Sequence, residues 1–164
     1  MSQTDKNLEA AFLGEAKASM RLLGFAERAE EDEYAQVAKL FRAIAAAEQI
    51  HAIKHLRQLK IIGDTEENLQ RAFESEKTVS ENVYPEFIRQ AEEDGNRAAA
   101  IGFSHARDAE AVHAKLYKKV ISHMVAEEES EYHVCKICGY VADGEPPEEC
   151  PVCGAKREHF FRVD

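Results

Sequence analysis

The chain has 164 residues, enough for one good core and a small appendage. Its formal charge of -10 argues against nucleic-acid binding, because the phosphate backbone would be repelled rather than neutralised. No apolar run approaches the length of a membrane span, and the N-terminal MSQTDKNLEA lacks a signal-peptide core, so a cytoplasmic protein is expected.

From Asp5 to about Ala126 the sequence is rich in Ala, Glu, Leu, Lys and Arg and poor in turn residues. Breaks are expected near Asp32-Glu33, at Gly63-Asp64-Thr65 and near Gly95. Gly63 suits a helix end, Asp64 or Thr65 can cap the next helix, and Glu67 favours its first turn. Four helices of roughly 25 to 30 residues result, each about 40 Å long. Leu8, Phe12, Leu22, Leu40, Phe41, Ile44, Leu69, Phe73, Ile101, Phe103 and Leu116 supply their apolar stripes.

The helices repeat. AEQIHA, starting at Ala47, returns 62 residues later as AEAVHA, starting at Ala109. Asn7-Leu8, Ala11-Phe12, Glu15 and Ser19 recur as Asn68-Leu69, Ala72-Phe73, Glu76 and Ser80. Two helical pairs, 5–62 and 65–126, therefore descend from one unit. The offset is 61 residues up to Ser80 and 62 from Phe87 onward, so one residue has entered around 81–86. An extra residue within a helix forms a π-bulge, here with Pro85 in the same turn, and should turn Tyr84 inward.

Glu48 and His51 share one helix face, as do Glu110 and His113; Glu15 and Glu76 lie within the stripes set by Phe12 and Phe73. Alone, a Glu-x-x-His pair is usually a solvated surface pair, and a Glu in an apolar stripe is often a boundary residue. Surface residues, however, have no reason to survive a duplication in register. Burying four carboxylates and two imidazoles uncompensated costs several kcal/mol per ion. Two divalent cations remove that cost, and this is the ligand arrangement known from ferritin-like di-iron proteins. His55, His105 and His123 have no repeat partners and are read as solvated or boundary residues.

An acidic tract, Glu127 to Glu131, precedes a tail of different composition, rich in Gly, Pro and Cys. All four cysteines lie here, in CKIC (Cys135, Cys138) and CPVC (Cys150, Cys153), eleven residues apart. Clustered thiols in a reducing compartment read as metal ligands, and two such knuckles suit one tetrahedral zinc or iron. Gly139 and Gly154 permit the tight turns that aim backbone N–H groups at the sulfurs. The bland alternative is a structural zinc ribbon.

A helical metal domain followed by Y-H-V-C-x-x-C-G-Y…G-x-x-P-x-x-C-P-x-C-G-A…F resembles rubrerythrin from about Asn7 to Phe161. The resemblance implies a mainly α chain: a ferritin-like four-helix bundle over 1–130 and a rubredoxin-like domain over 131–164. It implies a non-haem iron peroxidase that reduces hydrogen peroxide to water. Electrons would come from a nicotinamide-dependent reductase, often through rubredoxin. Glu15, Glu48, His51, Glu76, Glu110 and His113 match the di-iron ligands, the four cysteines match the mononuclear iron ligands, and Tyr84 matches a tyrosine near the di-iron site. Two positions depart from the pattern. Val79 stands where the family usually has a further Glu, which leaves His51 bound throughout and puts peroxidase efficiency in question; Leu22 stands where it often has a tyrosine.

Two further classes compete with the peroxidase: a ferroxidase that oxidises Fe(II) as substrate, and a non-enzymatic protein with zinc in the tail. The connection between the second and third helices supplies one more expectation. Ferritin-like bundles need a long crossover there, and only Gly63-Asp64-Thr65 separates the two stripes. A homodimer that exchanges helical pairs is expected over a simple up-down monomer.

Overall fold

The computed structural model describes residues 1–123 and 130–164, so most of the acidic tract lies outside the described residues, as does the side chain of His123. The chain forms two compact units, Met1–Gly63 and Asp64–Asp164.

The first unit is a hairpin of α1 (Gln3–Glu31) and α2 (Ala35–Gln58). A reciprocal capping box between Ser2 and Asp5 starts α1, a device worth about 1 kcal/mol. Glu33 takes a left-handed φ of 62° at the turn, and the Tyr34 N–H bonds back to the Ala29 carbonyl at 2.7 Å. The helices approach through alanines: Ala26, Ala29, Ala38, Ala45 and Ala52 are buried, with Phe25 and Phe41 edge to face at 5.8 Å.

The second unit begins with α3 (Thr65–Thr78), whose cap is Asp64 accepting from the Glu67 N–H at 2.9 Å. A π-helical turn, Val79–Val83, follows, then α4 (Tyr84–Glu93) and α5 (Arg97–His123). The inserted residue is thus absorbed as a π-turn, beginning at Val79, slightly before the segment where the offset changes. Gly95, with φ 67°, makes the turn that Glu33 makes in the first hairpin. Beyond α5 the tail forms a three-stranded antiparallel sheet in the order β2-β1-β3: β1 is Tyr132–Cys135, β2 Val141–Asp143 and β3 Phe160–Val163.

Two expectations need correction. The α2 stripe was expected to reach about Ile62, but α2 ends at Gln58: Lys60 adopts φ 56° and the Ile61 N–H returns to the Leu56 carbonyl, closing the helix early. The expected core side chains Leu40 and Ile44 are 57% and 39% exposed, and Ile101 is 48% exposed. Each such side chain forgoes roughly half of the ~1.5–3 kcal/mol that full burial supplies. The helices as described bury alanines and leave large apolar groups to solvent. Among the described residues, no helix is long and apolar enough to cross a membrane.

Candidate metal centres

In the first unit, Glu15 reaches from α1 towards Glu48 and His51 on α2, with ligand atoms within 4.8 Å of one another. His51 Nδ1 lies 3.3 Å from Glu48 Oε2. A hydrogen bond to Glu48 raises the Glu15 carboxyl above the ordinary range, aided by burial and the Glu48 charge; the same bond lowers Glu48. The two carboxyls are therefore coupled through one hydrogen bond, a contact that a divalent cation would replace. The positive charge of half-buried His55 also reaches Glu15. Its i, i+4 spacing from His51 was the available signal for that role.

The second unit repeats the triad with Glu76 from α3 and Glu110 and His113 from α5, again within 4.8 Å. Burial, then a hydrogen bond to Glu110 and its charge, pushes Glu76 up to about 7. His113 Nδ1 lies 2.9 Å from Glu110 Oε2, and Nε2 lies 2.8 Å from the Gly139 carbonyl. A carbonyl only accepts, so Nε2 bears a proton and donates it, which makes Nδ1, on the Glu110 side, the ring nitrogen that a metal would take in place of that contact. That is the tautomer a metal ligand requires, held by the partner such ligands need. Lys119 Nζ adds an ion pair to Asp143 at 2.6 Å, so the tail is tied to α5 at two points.

Tyr84 leaves the π-turn with its ring 6.1 Å from both Phe87 and Phe103. Burial, then the Glu110 and Glu76 charges, hold its phenol above the ordinary range, so it stays an O–H donor at neutral pH. Val79 is half-buried in the same turn, and Leu22 is half-buried at the repeat position of Tyr84.

The four cysteines converge, with Cys135 and Cys153 sulfurs 3.8 Å apart and Cys138 and Cys150 sulfurs 3.6 Å apart. Sulfurs bound tetrahedrally at ~2.3 Å from one metal lie ~3.8 Å from each other, so the set fits a single ion. Burial opposes ionisation of Cys135, but backbone N–H groups of Ile137 and Cys138 outweigh it and lower that thiol. Burial instead raises Cys138 and Cys153. Gly139 and Gly154 have φ of 79° and 74°, as the knuckle turns require.

Three candidate donor sets are thus assembled. The rubrerythrin family model matches residues 6–121 and, separately, 67–142, the second match starting in the second repeat. A second family model, the rubredoxin-like domain of rubrerythrin, matches 133–161. This chain belongs to the rubrerythrin family. Nigerythrin from Nitratidesulfovibrio vulgaris is 34% identical, over 98% of this chain and 86% of its own. Rubrerythrin-2 of Clostridium acetobutylicum is 32% identical over 93% of this chain and 92% of its own. The rubrerythrin of Porphyromonas gingivalis is 33% identical over 97% and 89%. Solved structures of nigerythrin in partially and fully reduced states each superpose with a TM-score of 0.60 over 99% of this chain and 88% of theirs. The family comprises di-iron proteins of oxidative-stress defence, so the fold is ferritin-like with a rubredoxin-like tail, and the donor sets imply iron.

The tie from His113 to Gly139 was not foreseen from sequence. It joins positions 26 residues apart through a backbone carbonyl, and no residue pattern announces it.

Proposed function

We propose that the chain is a peroxide reductase, with residues 1–130 providing a di-iron bundle and residues 131–164 a mononuclear iron domain. Glu15, Glu48, His51, Glu76, Glu110 and His113 would hold two iron ions; Cys135, Cys138, Cys150 and Cys153 would hold one. Iron so held would supply the two electrons that cleave the O–O bond of hydrogen peroxide. The observation that carries the reading is the pairing of a carboxylate–histidine triad and a four-cysteine site through His113 and the carbonyl next to Cys138.

The residues divide the remaining work. Gly139 fixes the His113 ring and its tautomer, so the second triad is oriented before any cation arrives. Reduction of peroxide to two waters consumes two protons. Glu76 retains a proton up to about pH 7, and Tyr84 keeps its O–H beside Glu76 and Glu110. The rings of Phe87 and Phe103 pack against Tyr84 and hold its ring in place. Reduced rubredoxin, fed by a nicotinamide-dependent reductase in the cytoplasm, is the electron donor in this reading.

Steady-state consumption of hydrogen peroxide by iron-loaded protein with reductase and rubredoxin is the test. Sustained turnover, abolished by Glu110→Ala, is expected. Fe(II) oxidation without sustained peroxide turnover would replace this reading with a ferroxidase. A colourless, zinc-filled native protein would replace both with a structural role.

A further inference from the structure

We propose that two serines outside the ligand sets, Ser19 and its repeat partner Ser80, hold the Glu-x-x-His carboxylates when metal is bound. The Ser19 hydroxyl then donates to Glu48 and the Ser80 hydroxyl to Glu110. Both are positioning residues that touch no metal themselves. This assignment rests on reading Glu48 and Glu110 as ligands.

Ser19 is 2% exposed, and its Oγ has no hydrogen-bond partner among the described residues. A buried hydroxyl left unpaired is destabilising, and folded proteins keep few of them. The first unit is the α1–α2 hairpin, so a side chain covered this deeply on α1 lies under α2. Ser19 follows Glu15 by one turn on the same helix face. Glu15 meets His51 across the hairpin and Phe25 meets Phe41, so Ser19 stands level with Ala47, the neighbour of Glu48. Helical side chains lean towards their own N-terminus. On these antiparallel helices Ser19 therefore leans back to the Glu15 turn, while Glu48 leans towards the turn of Ser19.

Glu48 has a matching need. Its polar contacts in the hairpin are Glu15 and His51 Nδ1, and both of these groups turn to the metal when one binds. The carboxylate oxygen left over requires a new donor, as ligating carboxylates ordinarily have. The repeat supplies an independent support. Ser80 follows Glu76 by one turn, as Ser19 follows Glu15, and is 7% exposed. Among the described residues no other serine, threonine, amide or charged side chain is buried, so the duplication kept a buried hydroxyl in register with each triad. Glu110 has the same two contacts to lose, to Glu76 and to His113 Nδ1. Ser80 differs in one respect. Its Oγ donates to the Lys77 carbonyl at 3.1 Å, a bond within its own turn that it exchanges for Glu110.

The test uses the full-length chain with its cysteine site already loaded with iron. Ferrous ion is titrated in anaerobically against a chelator, and the same protein is melted without added ferrous ion. Ser19→Ala should weaken ferrous binding at the helical site about tenfold. Its melting temperature without added ion should stay at or above the wild-type value, because an unpaired buried hydroxyl has been removed. Ser80→Ala should weaken binding to a similar degree but lower the melting temperature, since the bond to Lys77 is lost. Ser19→Thr and Ser19→Val share one shape and differ in the hydroxyl, so the threonine variant should bind ferrous ion about tenfold more tightly than the valine variant. Equal binding by that pair, or unchanged binding by Ser19→Ala whatever its melting temperature, overturns the proposal and leaves the ligand assignment standing. Wild-type protein that binds no ferrous ion beyond the cysteines overturns the ligand assignment itself, and the proposal with it.

Discussion

The two hairpins began as one sequence, and their differences separate what metal binding demands from what the chemistry demands. Both keep a Glu, a Glu-x-x-His and a phenylalanine pair, Phe25–Phe41 in one and Phe87–Phe103 in the other, at 5.8 and 5.6 Å. Only the second has the π-turn, Tyr84 in place of Leu22, and a carbonyl behind its histidine. Exposure follows: the His51 side chain is 54% exposed and that of His113 is 21%. The triads stayed alike, as ligation of metal would demand, while burial and hydrogen bonding diverged around them.

The largest effect that could break this contrast comes from the histidines. His113→Gln removes a ligand whose ring is already fixed by Gly139, whereas His51 contacts only its own Glu48 among the hydrogen bonds described. Iron affinity measured by competitive chelation should fall at least ~100-fold for His113→Gln and by less for His51→Gln. Equal losses would mean that Gly139 contributes nothing to ligation.

Tyr84→Phe keeps the ring contacts and removes the O–H that only the second hairpin offers. Peroxide turnover should drop about 100-fold, the lower end of the range for a positioned proton donor, with iron content unchanged. Leu22→Tyr should not restore it, because the π-turn that presents Tyr84 is absent from α1.

Much of this was legible in the sequence, for stated physical reasons. Ligand residues surviving a duplication in register gave both triads, the Cys-x-x-Cys knuckles gave the tail site, and a one-residue change of offset gave the π-turn. What sequence hid was non-local or decided by backbone conformation. Leu40 and Ile44 have the spacing of core residues, yet the α1–α2 hairpin leaves them exposed. The early end of α2 depends on Lys60 entering the left-handed region, which a lysine rarely does. His55 lacks a repeat partner and lies half-buried at the boundary, as its reading as a boundary residue expects.

The hairpin turns offer a smaller comparison, in stability. Gly95→Ala places a side chain at φ 67° with no atom within 4 Å of the new Cβ, so the cost is backbone strain alone, about 1 kcal/mol. Glu33 already bears such strain at φ 62°, and Glu33→Gly should stabilise by up to about 1 kcal/mol in denaturant titrations. Opposite signs at matched positions are the expected result.

A further contrast between the hairpins is in pH. The folded pKa of Glu76 is raised to about 7 from 4.5, so its contribution to stability is full below about 4.5 and is lost as pH rises through about 7. In the first hairpin Glu15 is raised but Glu48 is lowered, and the two oppose each other. The melting temperature of metal-free protein should therefore decline from pH 4.5 to 7.5, and Glu76→Gln should flatten that decline more than Glu15→Gln does.

Iron content tests the central claim most directly, namely that the six carboxylate and histidine residues hold two metals apart from the cysteine site. Wild-type protein purified with iron should contain three irons per chain, and Glu48→Ala and Glu110→Ala should each fall towards one. The remaining iron should keep the red thiolate-to-iron absorption of the cysteine site. Three irons per chain in both variants, or one in the wild type, would contradict the account.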